Sequence, residues 1–167
     1  MNNDKNDRAR YWVVMWMYGV VLVHLIAGIL LPWISASPVL EMYHRIVETG
    51  FWPDAAPLAA RRQQIWWLSL FGPTIQGLSI WMGVLVYIGD KQRGALAWAA
   101  LTIGVVVWGP QDMLISLRAD AWIHVWFDCF AMATMLPPLF WLWRNDRGTV
   151  PSTVQIAQAT ASAKAST

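Results

Sequence analysis

Charge is what this chain has least of. Lys, Arg, Asp and Glu make up 13% of its 167 residues, where a soluble domain carries about 25%. That shortage excludes an ordinary water-soluble domain. The 57% hydrophobic content, against about 45 to 50% for soluble proteins, is that of an integral membrane protein. A formal net charge of +2 leaves no basic footprint for nucleic acid, so none is expected as a partner. Cysteine is nearly absent as well. The single Cys129 excludes an internal disulfide, and its place in an apolar run suits a buried, inert thiol. No His-Glu-x-x-His or Cys-x-x-Cys spacing occurs, so a metal signature is missing. Ser116 has no glycine-framed elbow and Cys129 no electropositive neighbourhood, which leaves nucleophilic catalysis without support.

What is present is long apolar runs. Residues 1–10 read as a polar cytoplasmic arm, and 11–33 as a first span of about 23 residues, enough to cross a core of about 30 Å. Ser35-Ala36-Ser37 imitates a signal cleavage site, but the run before it is too long for a signal peptide, so an uncleaved anchor is expected. Residues 38–49 are too charged to span. Val39, Leu40, Met42, Tyr43, Ile46 and Val47 fall on one helical face and Glu41, His44, Arg45 and Glu48 on the other, which predicts a short external interfacial helix with a solvated polar face. Ser37 suits its N-cap, Pro38 its first turn and Gly50 its stop.

A second span is expected over 63–88. Ser69, Gly72, Gln76, Ser79 and Gly83 form one small and polar stripe along it, the pattern of a close helix-helix interface, and Pro73 predicts a kink. Gly89 to Gly94 reads as a turn. The third span, 95–117, should be interrupted at Gly109-Pro110, and Arg118-Ala119-Asp120 should turn into a fourth span over 121–143, bent at Pro137-Pro138. Residues 144–167, rich in Ala, Ser, Thr and Gln, read as a disordered cytoplasmic tail. The expected fold is therefore all-α, a polytopic four-helix transmembrane bundle over 11–143 with one interfacial helix.

Lys and Arg set its orientation. With both termini cytoplasmic, Lys5, Arg8, Arg10, Lys91, Arg93, Arg144, Arg147 and Lys164 lie inside and Arg45, Arg61, Arg62 and Arg118 outside, which favours that topology in the bacterial inner membrane. The 13 tryptophans fit it as interface anchors, with Trp12, Trp16, Trp98, Trp141 and Trp143 inside and Trp33, Trp66, Trp67 and Trp122 outside.

Ionisable groups in such spans need a reason to be there. Asp120, His124 and Asp128 are spaced i, i+4, i+8 on one face, and Asp112, His24 and Gln76 fall in the same outer half. With Ser116 they make a candidate polar cluster of His24, Gln76, Asp112, Ser116, His124 and Asp128. Three readings compete for it. One is interhelical glue. Another is a pocket for a lipid-like or other small molecule, with the carboxylates as orienting groups or as general acid and base. The third is a metal site on His124, Asp128 and Asp112, or a haem between His24 and His124, whose depths differ by about 9 Å. No cofactor is expected ahead of these alternatives.

Around Trp108-Gly-Pro-Gln-Asp-Met-Leu-Ile-Ser-Leu117, His124-Val-Trp-Phe-Asp128 and Leu136-Pro-Pro-Leu-Phe-Trp-Leu-Trp-Arg144 the chain resembles small four-helix bacterial inner-membrane proteins labelled as cell-division proteins, over residues 11–147. The resemblance implies a place in the cell envelope and an accessory role, and transfers no catalytic residue. A non-enzymatic accessory or scaffold protein is the leading expectation, its partners the bilayer and another membrane protein or a second copy. A binder, carrier or enzyme for a lipid-like ligand is the alternative.

Overall fold

The computed structural model describes residues 2–148. Five α-helices follow in order: α1 Asn2–Ile34, α2 Glu41–Thr49, α3 Leu58–Gln92, α4 Ala95–Arg118 and α5 Trp122–Asp146. A 3-10 turn, Pro38–Leu40, leads into α2. Helices α1, α3, α4 and α5 are each long and apolar enough to cross a membrane. The shortest, α4 with 24 residues, is about 36 Å long.

The helices outrun the expected spans. Residues 2–10 continue α1 and residues 144–146 continue α5, so neither stretch is a separate arm or tail; 149–167 lie outside the described residues. The expected turn over Gly89 to Gly94 shrinks to Arg93 and Gly94, with Arg93 in the left-handed region at φ 46°. Asp120, at φ 51°, belongs to the α4–α5 turn and is not on the α5 face with His124 and Asp128. Aspartate tolerates that conformation because its short side chain bonds locally.

Proline breaks none of these helices: α3 runs through Pro73, α4 through Pro110 and α5 through Pro137 and Pro138. A proline leaves the carbonyl four residues back without its donor, and a neighbouring helix can supply another. Two such carbonyls are bonded here. Pro32 frees Gly28 O, which accepts from Gln76 Nε2 of α3 at 3.0 Å, and Pro138 frees Thr134 O, which accepts from Trp16 Nε1 of α1 at 3.1 Å.

Two antiparallel pairs, α1/α3 and α4/α5, pack closely within themselves and more lightly against each other. The α3 stripe makes the first pair. Ser69 Oγ meets Ser35 Oγ at 2.7 Å, any side chain on Gly72 would overlap the Pro32 ring, and Gly83 lies under Val21. Small residues allow that approach, as the stripe predicts. In the second pair Gly109 lies under Met132, whose sulfur a side chain at that position would strike.

The largest connected apolar cluster lies in one half of the bundle, while Val125 of α5 is buried by itself at the other end. Val14, Met17, Met82, Val86, Trp98, Leu101, Val105, Met135, Leu139 and Leu142 all lie in the helix halves nearer the termini and the α3–α4 turn. We call that the terminus end, and the opposite one the α2 end. Trp98 is fully buried there, a core residue and not the interface anchor that the sequence suggests, whereas Trp33, Trp66, Trp67 and Trp122 are exposed.

Candidate functional site

The terminus end is tied by one arginine. Arg10, expected in a solvated arm, is buried in α1 with its guanidinium between helices. Its Nε and Nη2 donate to Asp146 of α5 at 3.0 and 2.9 Å, its Nη1 to Asp90 of α3 at 3.2 Å, and Nη2 also to Gly89 O at 3.1 Å. Trp98 Nε1 of α4 donates to Asp146 Oδ2 at 3.0 Å, so all four long helices meet at this point. Gly89 makes room, since a Cβ there would sit 2.6 Å from the Trp98 ring. A buried charge needs a partner with full hydrogen bonding, and this set provides it. The only advance signal was one ionisable residue near the same end of α1, α3 and α5, and it was hidden while Arg10 and Asp146 were assigned to flanking segments.

At the α2 end a short helix gathers the others. His44 Nε2 donates to Ser35 O at the end of α1 at 2.7 Å, and Tyr43 Oη bonds His124 Nε2 of α5 at 3.0 Å. Arg61 of α3 donates to Glu48 through Nε and through Nη2, the latter at 2.7 Å, and to Glu41 at 2.7 Å. Gly50 packs against the Ala119 carbonyl of the α4–α5 turn. These bonds rotate α2 away from the expected face, with Arg45 left exposed and Tyr43 and Val47 half-buried. His44 and Glu48 are buried against the bundle, while Val39 and Met42 point away, 77% and 73% exposed. The reason is Arg61 and the bare end of α1, which give the polar residues partners that water would otherwise provide. Hydrogen bonds from Arg61 hold the Glu48 carboxyl below its ordinary range. Bonds from Arg45 and then Arg61 do the same for Glu41. Burial pushes the Tyr43 phenol up, which keeps it a neutral hydroxyl toward His124.

The six candidate residues divide between the two helix pairs. His24 Nδ1 bonds Val20 O of its own helix at 2.8 Å, and Gln76 bonds Gly28 O, so both are engaged within α1/α3. Asp112, Ser116, His124 and Asp128 belong to α4/α5. None of the described hydrogen bonds joins the two sets. Asp112 and Asp128 lie on facing turns of the α4/α5 interface. The helix register requires it: Asp112 lies one turn from Gly109 and Asp128 one turn from Met132, both toward the α4–α5 turn. Asp128 is 4% exposed, and its Oδ2 is buried with no partner.

Among the described residues no three His, Cys, Asp or Glu side chains come together as a metal-ligand group, so His124, Asp112 and Asp128 do not form a three-ligand site in this arrangement. Cys129 is a half-buried free thiol. Compared with family models, curated proteins and solved structures, the chain matches none.

Proposed function

We propose that this chain is a multi-pass protein of the bacterial inner membrane, with both termini cytoplasmic, that acts as an envelope accessory protein by binding a lipid-like or other small amphiphilic molecule at its α2 end. The observation that carries this is Asp128, a buried carboxyl with an unpartnered oxygen where the apolar core has already ended. An uncompensated polar group at membrane depth is destabilising, and bundles keep such groups where something binds. The Lys and Arg distribution supports the orientation, which puts α2 outside.

Two measurements test the reading. Native mass spectrometry from mild detergent should show wild-type protein carrying an amphiphile that Asp128→Asn releases; a bare wild-type chain removes the binding role. A reporter active only outside the membrane should be silent after Arg147 and active near Asp54, and the reverse result discards the topology.

A second reading is docking to another membrane protein, and the outward Met42 of α2 and Val39 of the turn before it favour it. Copurification of a stoichiometric protein that Met42→Ser releases would move the assignment there.

A further inference from the structure

We infer that the Asp112/Asp128 pair takes one positive charge from outside the chain, as a proton or as the ammonium head of an amphiphile. The inference rests on the binding reading above and names the chemistry that its site recognises.

The α4/α5 register sets both carboxyls on facing turns of one interface, and an ionised carboxylate only accepts hydrogen bonds. Two ionised groups at that approach repel, and the repulsion grows as water is withdrawn. Asp128 is almost wholly withdrawn from solvent, and its Oδ2 finds no donor in the protein. A buried oxygen left that way is destabilising until a donor arrives.

None of the described ion pairs reaches Asp112 or Asp128. Among the described residues, the ion pairs of Arg10, Arg45, Arg61 and Arg93 go to Asp90 and Asp146, Glu41, Glu41 and Glu48, and Asp7. His124, one turn from Asp128 on α5, is bonded to Tyr43 of α2. His24 on α1 is bonded to Val20, and Gln76 on α3 to Gly28. A single donor with one positive charge would satisfy the pair. A proton turns the contact into an acid-carboxylate hydrogen bond, and an ammonium group donates to both carboxyls at once.

Infrared spectra of the purified protein in lipid nanodiscs at neutral pH, in H2O and D2O, distinguish the sources. If the charge is a proton, the wild type shows a protonated-carboxyl band that shifts in D2O and is lost in both Asp112→Asn and Asp128→Asn, because sharing needs two carboxyls. If it is an ammonium head, the band is absent, and solvent extraction releases an amine-bearing amphiphile from wild type that Asp128→Asn does not retain. Asn preserves shape, and gel filtration of each variant checks that it is folded. Absence of both band and amine overturns the inference. So does a band that persists in Asp112→Asn, since burial alone would then hold the proton on Asp128. A wild-type band with no bound amphiphile keeps the charge site and removes the ligand reading. A bound amphiphile without an amine, with no band, does the opposite.

Discussion

Two pairs of aspartates lie at opposite ends of the bundle. Asp90 and Asp146 share the Arg10 guanidinium, with Trp98 and the Gly89 carbonyl completing the set and the packed core directly against them. Asp112 and Asp128 face each other beyond the core, have no arginine between them, and leave one buried oxygen unbonded. The same residue type at similar burial is thus finished in one place and unfinished in the other. A finished buried network holds helices in place, whereas an unfinished one is where an outside group is expected.

The largest effect should come from removing the completing charge. Arg10→Met strands Asp90 and Asp146 and should lower stability by about 3–5 kcal/mol, read as a drop in unfolding midpoint in detergent. A change below about 1 kcal/mol would break the comparison, because the terminus end would then be no lock. Gly89→Ala sharpens it: the added methyl meets Trp98, and overpacking there should cost about 1–3 kcal/mol while Asp112 and Asp128 are untouched.

Smaller effects are expected where α2 is held. Glu48→Gln should weaken its attachment by about 1 kcal/mol, seen as faster amide exchange in α2 with the long helices unchanged. Arg61 holds Glu48 below the usual glutamate value, with His44 adding to the effect and Glu41 opposing it. The contribution of Glu48 is therefore complete above the unfolded value of about 4.3 and is lost as pH falls through the lower folded one. The protection of α2 amides, corrected for the intrinsic exchange rate at each pH, should fall on acidification in the wild type and less in Glu48→Gln. The smallest change belongs to the proline-freed carbonyls: Gln76→Leu and Trp16→Phe should each cost about 0.6 kcal/mol, the average for hydrogen bonds between membrane helices.

Periodicity was enough for the four long helices, for α2 and for the α3 stripe as a close interface, because hydrophobic length and a small-residue stripe are local properties of the chain. The seam partners on α1 were not legible. Ser35, Pro32 and Gly28 become a stripe only once the antiparallel register sets them opposite Ser69, Gly72 and Gln76. Composition placed Arg10 and Asp146 in solvated flanks, since a charge beside an apolar run has the same local signature whether it ends the helix or ties it to another. The rotation of α2 was hidden for a similar reason. An amphipathic pattern tells which residues share a face, and Arg61, 13 positions beyond Glu48, decides which face turns inward. At the candidate site, spacing selected His124 and Asp128 and depth selected Asp112, and the α4/α5 register sets Asp112 opposite Asp128. Depth alone could not separate His24 and Gln76, which have the right level and the wrong helix pair.

The difference between the two ends is tested most directly by thermal unfolding of Asp146→Asn and Asp128→Asn side by side in the same mild detergent. Asp146→Asn should lose about 3 kcal/mol, because Arg10 loses its closer, buried carboxylate and keeps only Asp90 at 3.2 Å. Asp128→Asn should stay within about 0.6 kcal/mol of the protein stripped of any bound amphiphile, because its carboxyl completes nothing inside the chain. Equal losses in the two variants would contradict the account and make both aspartate pairs structural.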